Sequence, residues 1–294
     1  MKEQDFLKII QELAGTEYIG DDCAYLKDLG IVITQDSLTE NVHFKREWYS
    51  PYQLGYKSIT VNISDILASG AKPAYVTIAL SLPSDIDSNF IKEFYKGAND
   101  GLCGAKIVGG DITGSKSEIM ISVAAIGKTE GRNISSRKNA KIGYSIVVKG
   151  KHGLSSAGLK ELIDGGKRED LIKAHITPNL EKKFSEFISL NCNDKYAMMD
   201  TSDGLADALF KIAESSNVKI IVDFDKIPTN EGISYENILF GGEDYKLIAA
   251  VPEEIALKSD GIIIGNVLEY DGTRLDISGK KYNNYNDLTV YNHF

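Results

Sequence analysis

The chain contains 294 residues, of which 43% are hydrophobic and 26% are charged, and its formal net charge is −9. These proportions are typical of a soluble globular protein with a sizeable core, and the length favours two domains. The acidic balance, without a basic stripe interleaved with aromatic residues, excludes nonspecific binding to nucleic acids or to anionic membranes.

The N-terminal half is predicted to alternate helices and strands. Residues 1–14 form a charged amphipathic helix rather than a signal peptide. A second helix begins at Pro51 and ends before Gly70. The other predicted elements of this half are short strands within 21–34, a strand over 74–82, a helix over 87–103 and a strand over 117–127.

The segment 129–143 is polar, basic and flanked by glycines, which predicts a boundary between two domains covering residues 1–135 and 136–294. The second half repeats the mixed pattern, and the fold class is α/β (α+β). Its predicted strands lie over 144–149, 196–199, 218–222, 245–251 and 261–267, and its predicted helices over 155–163, 180–190 and 206–214.

The cysteines and the apolar runs indicate the cellular compartment of the protein. Cys23, Cys103 and Cys192 are far apart and form no C-x-x-C pair, which favours reduced thiols and gives no zinc site. No apolar run approaches the length of a membrane span. We therefore expect a cytoplasmic protein.

Short acidic signatures flanked by glycine or serine recur along the whole chain. Several follow β-prone runs, so we expect their carboxylates at strand ends along one rim of a sheet. Like charges brought together cost free energy unless cations lie between them, and Mg²⁺ prefers oxygen ligands and substrate phosphates. One such signature is most often a turn or a helix cap, but their repetition favours a metal-dependent phosphoryl-transfer site. The signatures are Gly20-Asp21-Asp22, Gln35-Asp36-Ser37, Asn62-Ile63-Ser64-Asp65, Gly109-Gly110-Asp111, Asp200-Thr201-Ser202-Asp203-Gly204 and Gly241-Gly242-Glu243-Asp244.

Two glycine-containing segments resemble a P-loop but do not match its sequence pattern. In the segment 109–116 a serine precedes the lysine, whereas the P-loop needs Gly-Lys followed by Ser or Thr. The Gly127-Lys128-Thr129 run lacks the required earlier glycine, because Ser122 occupies that position. A nucleoside triphosphate would therefore be neutralised by cations, which strengthens the prediction of a metal-rich site.

In their order, these signatures resemble those of the thiamine-monophosphate kinases, within the aminoimidazole-ribonucleotide synthetase (PurM-like) superfamily. Further matching pieces are Asn41-Val42-His43-Phe44, Gly70-Ala71-Lys72-Pro73 and the closing Tyr291-Asn292-His293-Phe294. The resemblance implies a two-domain PurM-like fold whose N-terminal sheet pairs across a homodimer. It also implies transfer of the ATP γ-phosphoryl group to thiamine monophosphate, with several Mg²⁺ ions per site.

The resemblance also implies site residues, position by position. One departure is Gln35, where the family usually has Thr or Ser, so a hydroxyl ligand would be missing there unless the main-chain carbonyl serves. The catalytic residues would be Asp36, Asp65 and Asp203. The metal ligands would be Asp22, Thr34, Asp36, Asp65, Asp111, Asp200 and Asp203. Nucleotide contacts would be Gly110, Asp111, Arg137 and Ser202, and substrate contacts His43, Glu243 and Tyr291.

The chemistry of such a transfer agrees with these residue types. The acceptor is a phosphate monoester with a second pKa of about 6, so it is already largely a dianion at neutral pH and needs no general base. The difficulty is the approach of two anions, which cations and Arg137 can relieve, and we expect direct in-line transfer. The cationic thiazolium suits the Tyr291 ring and the Glu243 carboxylate.

Alternatives remain open for function and for single residues. The chain could be a sister enzyme, such as a selenophosphate or aminoimidazole-ribonucleotide synthetase or a hydrogenase-maturation protein, or a noncatalytic regulator that binds nucleotide and Mg²⁺. The first and third of these sister types typically need a reactive cysteine near one terminus, which disfavours them. His43 could be a core histidine, Arg137 a solvated linker residue and Tyr291 a C-terminal anchor.

Overall fold

The computed structural model describes residues 3–14 and 18–289, which form two β-sheets with helices packed on them. The N-terminal sheet has the strand order β1-β2-β5-β3-β4. Its strands are β1 (Ala24–Leu26), β2 (Ile31–Thr39), β3 (Lys72–Leu82), β4 (Lys106–Gly114) and β5 (Met120–Lys128), and the helices of this half are α1 (Glu3–Ala14), α2 (Pro51–Ala68) and α3 (Ser88–Gly101).

One face of the N-terminal sheet is covered by α2 and the other is open. Strand β3 alternates strictly, with Val76, Ile78 and Leu80 buried and Thr77 and Ala79 exposed. This period of two is expected of a sheet that packs against helices on one side only. In a single copy of the chain, the described residues leave this face of the sheet uncovered.

Helix α2 is the central element of the molecule. Ser50 caps its N-terminus in a capping box with Gln53, and Pro51 occupies the first turn, as the sequence predicted. Most of its residues are buried on all sides, because it packs against the sheet, against α3 and against the C-terminal half. A helix enclosed in this way holds polar side chains such as Lys57 and Asp65 in fixed positions.

The C-terminal sheet has seven strands in the order β12-β11-β8-β10-β6-β9-β7. Its strands are β6 (Ser145–Lys149), β7 (Ala197–Asp200), β8 (Lys219–Val222), β9 (Leu247–Val251), β10 (Ile262–Leu268), β11 (Leu275–Ile277) and β12 (Lys280–Tyr282). The helices are α4 (Leu154–Asp164), α5 (Glu169–Ile176), α6 (Lys182–Asn191), α7 (Leu205–Ser215), α8 (Tyr235–Phe240) and α9 (Glu253–Lys258).

The two halves share a hydrophobic core. On β7 and β9, Met198 and Ala249 belong to the core that includes the N-terminal sheet and α2, whereas Met199 and Ile248 belong to a second core with α7. Both faces of these strands are therefore buried, which accounts for their nearly continuous apolar sequence. The shared core fixes the domains against each other at the end of β7.

The structure corrects part of the predicted organisation. Asp36 and Asp111 were expected just beyond strand ends, but β2 and β4 run through them, because nine and eight residues respectively pair with the neighbouring strands. This pairing outweighs the poor strand propensity of Gly109 and Gly110. The short elements α5, α8, α9, β11 and β12 were not predicted. The boundary at residue 135 stays a prediction.

Within the described ranges, none of the helices combines the length and the apolarity needed to cross a membrane.

Helices α2 and α3 cross at two glycines that admit no side chain. A Cβ atom on Gly55 would lie 1.9 Å from the Phe94 carbonyl oxygen, and one on Gly97 would lie 1.8 Å from the Tyr52 carbonyl oxygen. The backbones therefore touch at this crossing, and α3 supports the helix that carries Asp65.

We expect Gly97→Ala to push the helices apart and to lower the free energy of unfolding by about 1–3 kcal/mol, the usual cost of overpacking. Urea denaturation measures this change. The matched control is Lys92→Ala, on an exposed position of the same helix, which should stay within about 0.5 kcal/mol of wild type. Equal stabilities of the two variants would contradict the close crossing.

Candidate active site

Three aspartates from separate elements meet where the two domains touch. Asp22 precedes β1, Asp65 lies in the last turns of α2 and Asp200 ends β7. One carboxylate oxygen of each lies within 4.8 Å of those of the other two. The strand-end position predicted for Asp200 is confirmed, and the cluster draws on both halves of the chain.

Neutral hydroxyl groups orient the two inner carboxylates. Thr34 on β2 donates from its Oγ1 to Asp65 Oδ2 at 2.7 Å, and Ser64 donates from its Oγ to Asp200 Oδ2 at 2.5 Å. The Ser202 amide also donates to Asp200, over 3.2 Å. These bonds fix the carboxylates without neutralising their charge.

The carboxylates disturb one another's ionisation. Burial raises the pKa of Asp65 well above its usual range, and Asp36, Asp200 and Asp22 raise it further. Burial and the Asp22 charge raise the pKa of Asp200 to about 7. Partial removal of Asp36 from water raises its pKa, and the charges of Asp203 and Asp22 raise it further. The Asp36 side chain remains accessible to solvent. Such a set of crowded, hard oxygen donors fits Mg²⁺.

Protein cations lie at the edges of this cluster. Arg137 donates from Nη2 to Asp22 Oδ1 at 2.8 Å, and its backbone amide donates to Asp21, so it is not a solvated linker residue. Lys211 lies 3.0 Å from Asp203 Oδ2 and 2.8 Å from Asp207 Oδ2. The sequence did not single out Lys211, although its spacing four residues after Asp207 on a helix is a signal for such a pair.

Asp111 lies away from the carboxylate cluster of its own chain. Asp111 pairs with Ala79, which in turn pairs with Ser122, and this row of residues lies on the open face of the sheet. Asp36 pairs with Val123, which in turn pairs with Ile78, and this row lies on the buried face. Strands β4 and β2 are also three strand spacings apart, or about 14 Å. Gly110 shares this edge strand, so the chain does not bring the Gly110-Asp111 pair to its own cluster.

Glu243 and His43 form a second part of the candidate site, which together with the cluster of Asp22, Asp65 and Asp200 is called the cleft. The Glu243 carboxylate Oε2 lies 3.4 Å from both Lys57 Nζ and His175 Nδ1, while its side chain keeps 26% of its surface exposed. His43 accepts a bond from the Thr39 amide through Nδ1 and is close enough to Glu243 to lower its pKa. Sequence reasoning missed Lys57 and His175.

The loop that carries Glu243 is clamped to the loop after β7. Glu243 has φ +64° and donates its amide to the Ser202 carbonyl at 2.7 Å. A Cβ on Gly242 would lie 2.7 Å from that same oxygen, so glycine is required for the approach. The candidate nucleotide residue Ser202 and the candidate substrate residue Glu243 are thus joined. Tyr291 lies outside the described residues.

Comparisons with known proteins define the class and then the family. Residues 20–129 match the N-terminal domain of the AIR synthase related proteins, and residues 141–271 match the C-terminal domain. The fold is therefore that of a two-domain protein of the AIR-synthase-related, PurM-like class, as the sequence predicted.

Relatives narrow this assignment. The thiamine-monophosphate kinase of Aquifex aeolicus is 35% identical over 300 residues, which cover 95% of each chain, and that of Synechococcus elongatus is 29% identical over 95% of this chain and 92% of its own. A solved structure of AaThiL complexed with AMPPCP and TMP has a TM-score of 0.90 at 32% identity, covering 100% of this chain and 97% of that one. The chain belongs to the thiamine-monophosphate kinase family.

The raised pKa of Asp200 makes the stability of metal-free protein depend on pH. Its pKa is about 7 in the folded chain against an ordinary 3.8, so the folded state holds a proton that the unfolded state has released. This contribution is complete below the ordinary pKa and is lost as the pH rises through about 7. We expect the melting temperature of metal-free protein to fall over this window, and added Mg²⁺ to raise it more at about pH 8 than at about pH 5.5.

Asp200→Asn is the matched variant for this measurement. Without metal it should be more stable than wild type at high pH, and its gain from Mg²⁺ should shrink, because one charged ligand is gone. Thermal melts of both proteins, with and without chelator, make the comparison. A gain from Mg²⁺ that is independent of pH and unchanged in the variant would contradict this cation site.

Proposed function

We propose that this protein transfers the γ-phosphoryl group of ATP to the phosphate of thiamine monophosphate, giving thiamine diphosphate and ADP. The observation that carries the proposal is the carboxylate cluster of Asp22, Asp65 and Asp200, which both domains build. Its supports are the thiamine-monophosphate kinase relatives and the similarity to a structure that holds AMPPCP and TMP.

The residues that would hold Mg²⁺ form an inner and an outer group. The inner group is Asp22, Asp65 and Asp200. The outer group is Asp36, whose charge raises the pKa of Asp65, and Asp203, whose charge raises the pKa of Asp36. Bound Mg²⁺ supplies positive charge against which two phosphate anions can approach. Thr34 holds the Asp65 carboxylate in place through its hydroxyl group.

Direct transfer suits the groups that surround the cluster. Burial raises the pKa of the Cys23 thiol well above its usual range, and the Asp65 and Asp22 charges raise it further, so Cys23 stays protonated. The Ser64 hydroxyl donates to Asp200, which gives it an orienting role. The acceptor phosphate is already anionic, so the chain needs to position and neutralise rather than to deprotonate.

The two substrates would approach from opposite sides of the cluster. Arg137 and Ser202 lie beside Asp22 and Asp200 and would contact the nucleotide. Glu243, whose amide donates to the Ser202 carbonyl, and His43, whose charge lowers the pKa of Glu243, would receive the cationic heterocycle of the acceptor. The contact of Tyr291 with the acceptor stays a prediction.

A homodimer would complete the site with Asp111. Strand β1 pairs only with residues 31–33 of β2, which leaves the outer edge of β2 from Thr34 to Thr39 without a ladder partner in the described chain. The opposite edge strand β4 exposes Val108 and Ile112. Pairing β4 of one copy with β2 of the other would close both edges and bring Asp111 of the partner subunit towards Thr34 and Asp36.

We expect Asp65→Asn to lower the turnover number by about 100-fold or more, because one ligand that stabilises the transferring charge is lost. Chromatographic separation of thiamine monophosphate and thiamine diphosphate measures the rate. The control is Asp28→Asn, an exposed aspartate outside the cluster, which should leave turnover unchanged. Normal turnover of Asp65→Asn at saturating Mg²⁺ would exclude Asp65 from the site.

Mixed dimers test the shared site. Asp65→Asn and Asp111→Asn should each be inactive alone. When they are refolded together, about half of the dimers are mixed and each mixed dimer has one intact site, so about a quarter of wild-type activity should return. If Asp111 served its own chain, mixing would restore nothing. Sedimentation of the wild type checks the dimer itself, and a monomer would contradict the arrangement.

A further inference from the structure

A buried polar cluster lies behind Glu243 and joins the two domains. Lys57 on α2 places its ammonium 2.9 Å from the Tyr49 hydroxyl and 3.4 Å from Glu243 Oε2. The Lys57 side chain is 0% exposed, whereas that of Glu243 is 26% exposed. Glu243 therefore faces the cleft, and Lys57 lies behind it, out of reach of a ligand.

Stability alone does not account for a lysine at this position. Removing an ammonium group from water is costly, and a buried ion pair contributes little more to stability than apolar side chains of similar volume would. Lys57 is surrounded along α2 by buried residues such as Leu54 and Val61, where an apolar side chain would pack. The contact of the Lys57 ammonium with Glu243 Oε2 offers another reason for a charge at this position.

Glu243 is held from three directions. Lys57 contacts its Oε2 from the N-terminal domain, and His175 on α5 contacts the same oxygen at 3.4 Å from the C-terminal domain. His175 is fixed in turn by the Ser155 hydroxyl at 3.0 Å. The bond from the Glu243 amide to the Ser202 carbonyl sets the third direction. The contacts on Oε2 orient the carboxylate with its other side towards the cleft.

We propose that Lys57 is a positioning residue for the phosphate acceptor, because it fixes the Glu243 carboxylate where that carboxylate receives the cationic heterocycle. The inference rests on the proposed function and concerns the same site. It adds a residue that never touches the acceptor but decides how the acceptor is held.

The charges that face Glu243 agree with this role. Burial raises the pKa of Glu243, but Lys57, then His175 and His43, lower it, and the net result lies below the ordinary value. Burial and the Lys57 charge lower the pKa of His175 to about 4, so His175 is neutral at neutral pH. Tyr49, the remaining neighbour, has its pKa raised chiefly by burial and stays neutral. Lys57 is thus the largest favourable influence on the Glu243 charge.

The test is Lys57→Met, which keeps an unbranched side chain one atom shorter and removes the charged Nζ. We expect the KM for thiamine monophosphate to rise about tenfold or more, with the KM for ATP within about twofold of wild type, because the partly exposed Glu243 carboxylate loses its charged partner. The acid limb of the pH profile of kcat/KM for the acceptor should move to higher pH, since Glu243 then ionises later.

Two further variants separate positioning from a merely structural role. Tyr49→Phe removes a neutral partner of Lys57 but leaves the ion pair, so the acceptor KM should change by less than about threefold. If Lys57 acts only through Glu243, the double variant Lys57→Met/Glu243→Gln should have the same acceptor KM as Glu243→Gln alone. This comparison does not need the single variant Lys57→Met to fold. The double variant leaves no unpaired buried charge, and in Glu243→Gln the Lys57 ammonium keeps the Tyr49 hydroxyl as a partner.

Some outcomes would overturn the inference alone. These are an active wild type in which Lys57→Met raises both KM values together without moving the acid limb, or additive effects of Lys57→Met and Glu243→Gln. A wild type that does not phosphorylate thiamine monophosphate would instead overturn the proposed function, and the positioning role of Lys57 with it.

Discussion

Mutual repulsion among the carboxylates of Asp22, Asp65 and Asp200 is the constraint that the rest of the structure has to meet. Their oxygens converge within 4.8 Å. Burial raises the pKa values of Asp65 and Asp200, and the neighbouring carboxylates raise them further. A chain that folds around such a cluster must hold it by packing elsewhere. It does so with a core that passes from the N-terminal sheet through α2 to β7 and β9.

The same core explains why the cleft is rigid on one side. Helix α2 touches α3 backbone to backbone at Gly55 and Gly97, and it is buried along most of its length. Asp65 and Lys57 lie about two turns apart on this one helix, which sets the spacing of their backbone positions. Under the proposed function, one helix therefore sets the spacing between the proposed phosphate site and the proposed site of the acceptor heterocycle.

The sequence allowed the fold class, most of the longer elements and the acidic residues to be predicted, since these leave local signals. Pro51 and its capping residues begin α2, and Asp200 ends a strand, as predicted. The place of Asp111 could not be derived, because it depends on which strands pair and in what register. The role of Lys57 could not be predicted for a similar reason. Its partner Glu243 is 186 residues away in the sequence, and a lone lysine in a helix is most often exposed to solvent.

The positions of the protein's own cations show how one acidic cleft can take two kinds of positive ligand. Arg137 pairs with Asp22, Lys211 with Asp203, and Lys57 with Glu243. The contacts described for Asp65 and Asp200 come instead from the neutral hydroxyl groups of Thr34 and Ser64 and from a backbone amide. The raised pKa values of these two aspartates show that negative charge at the centre of the cluster is costly, and hard divalent cations would relieve that cost in place of protons. At Glu243 the Lys57 ammonium already balances the charge, so under the proposed function this carboxylate would orient the cationic heterocycle rather than attract it by net charge.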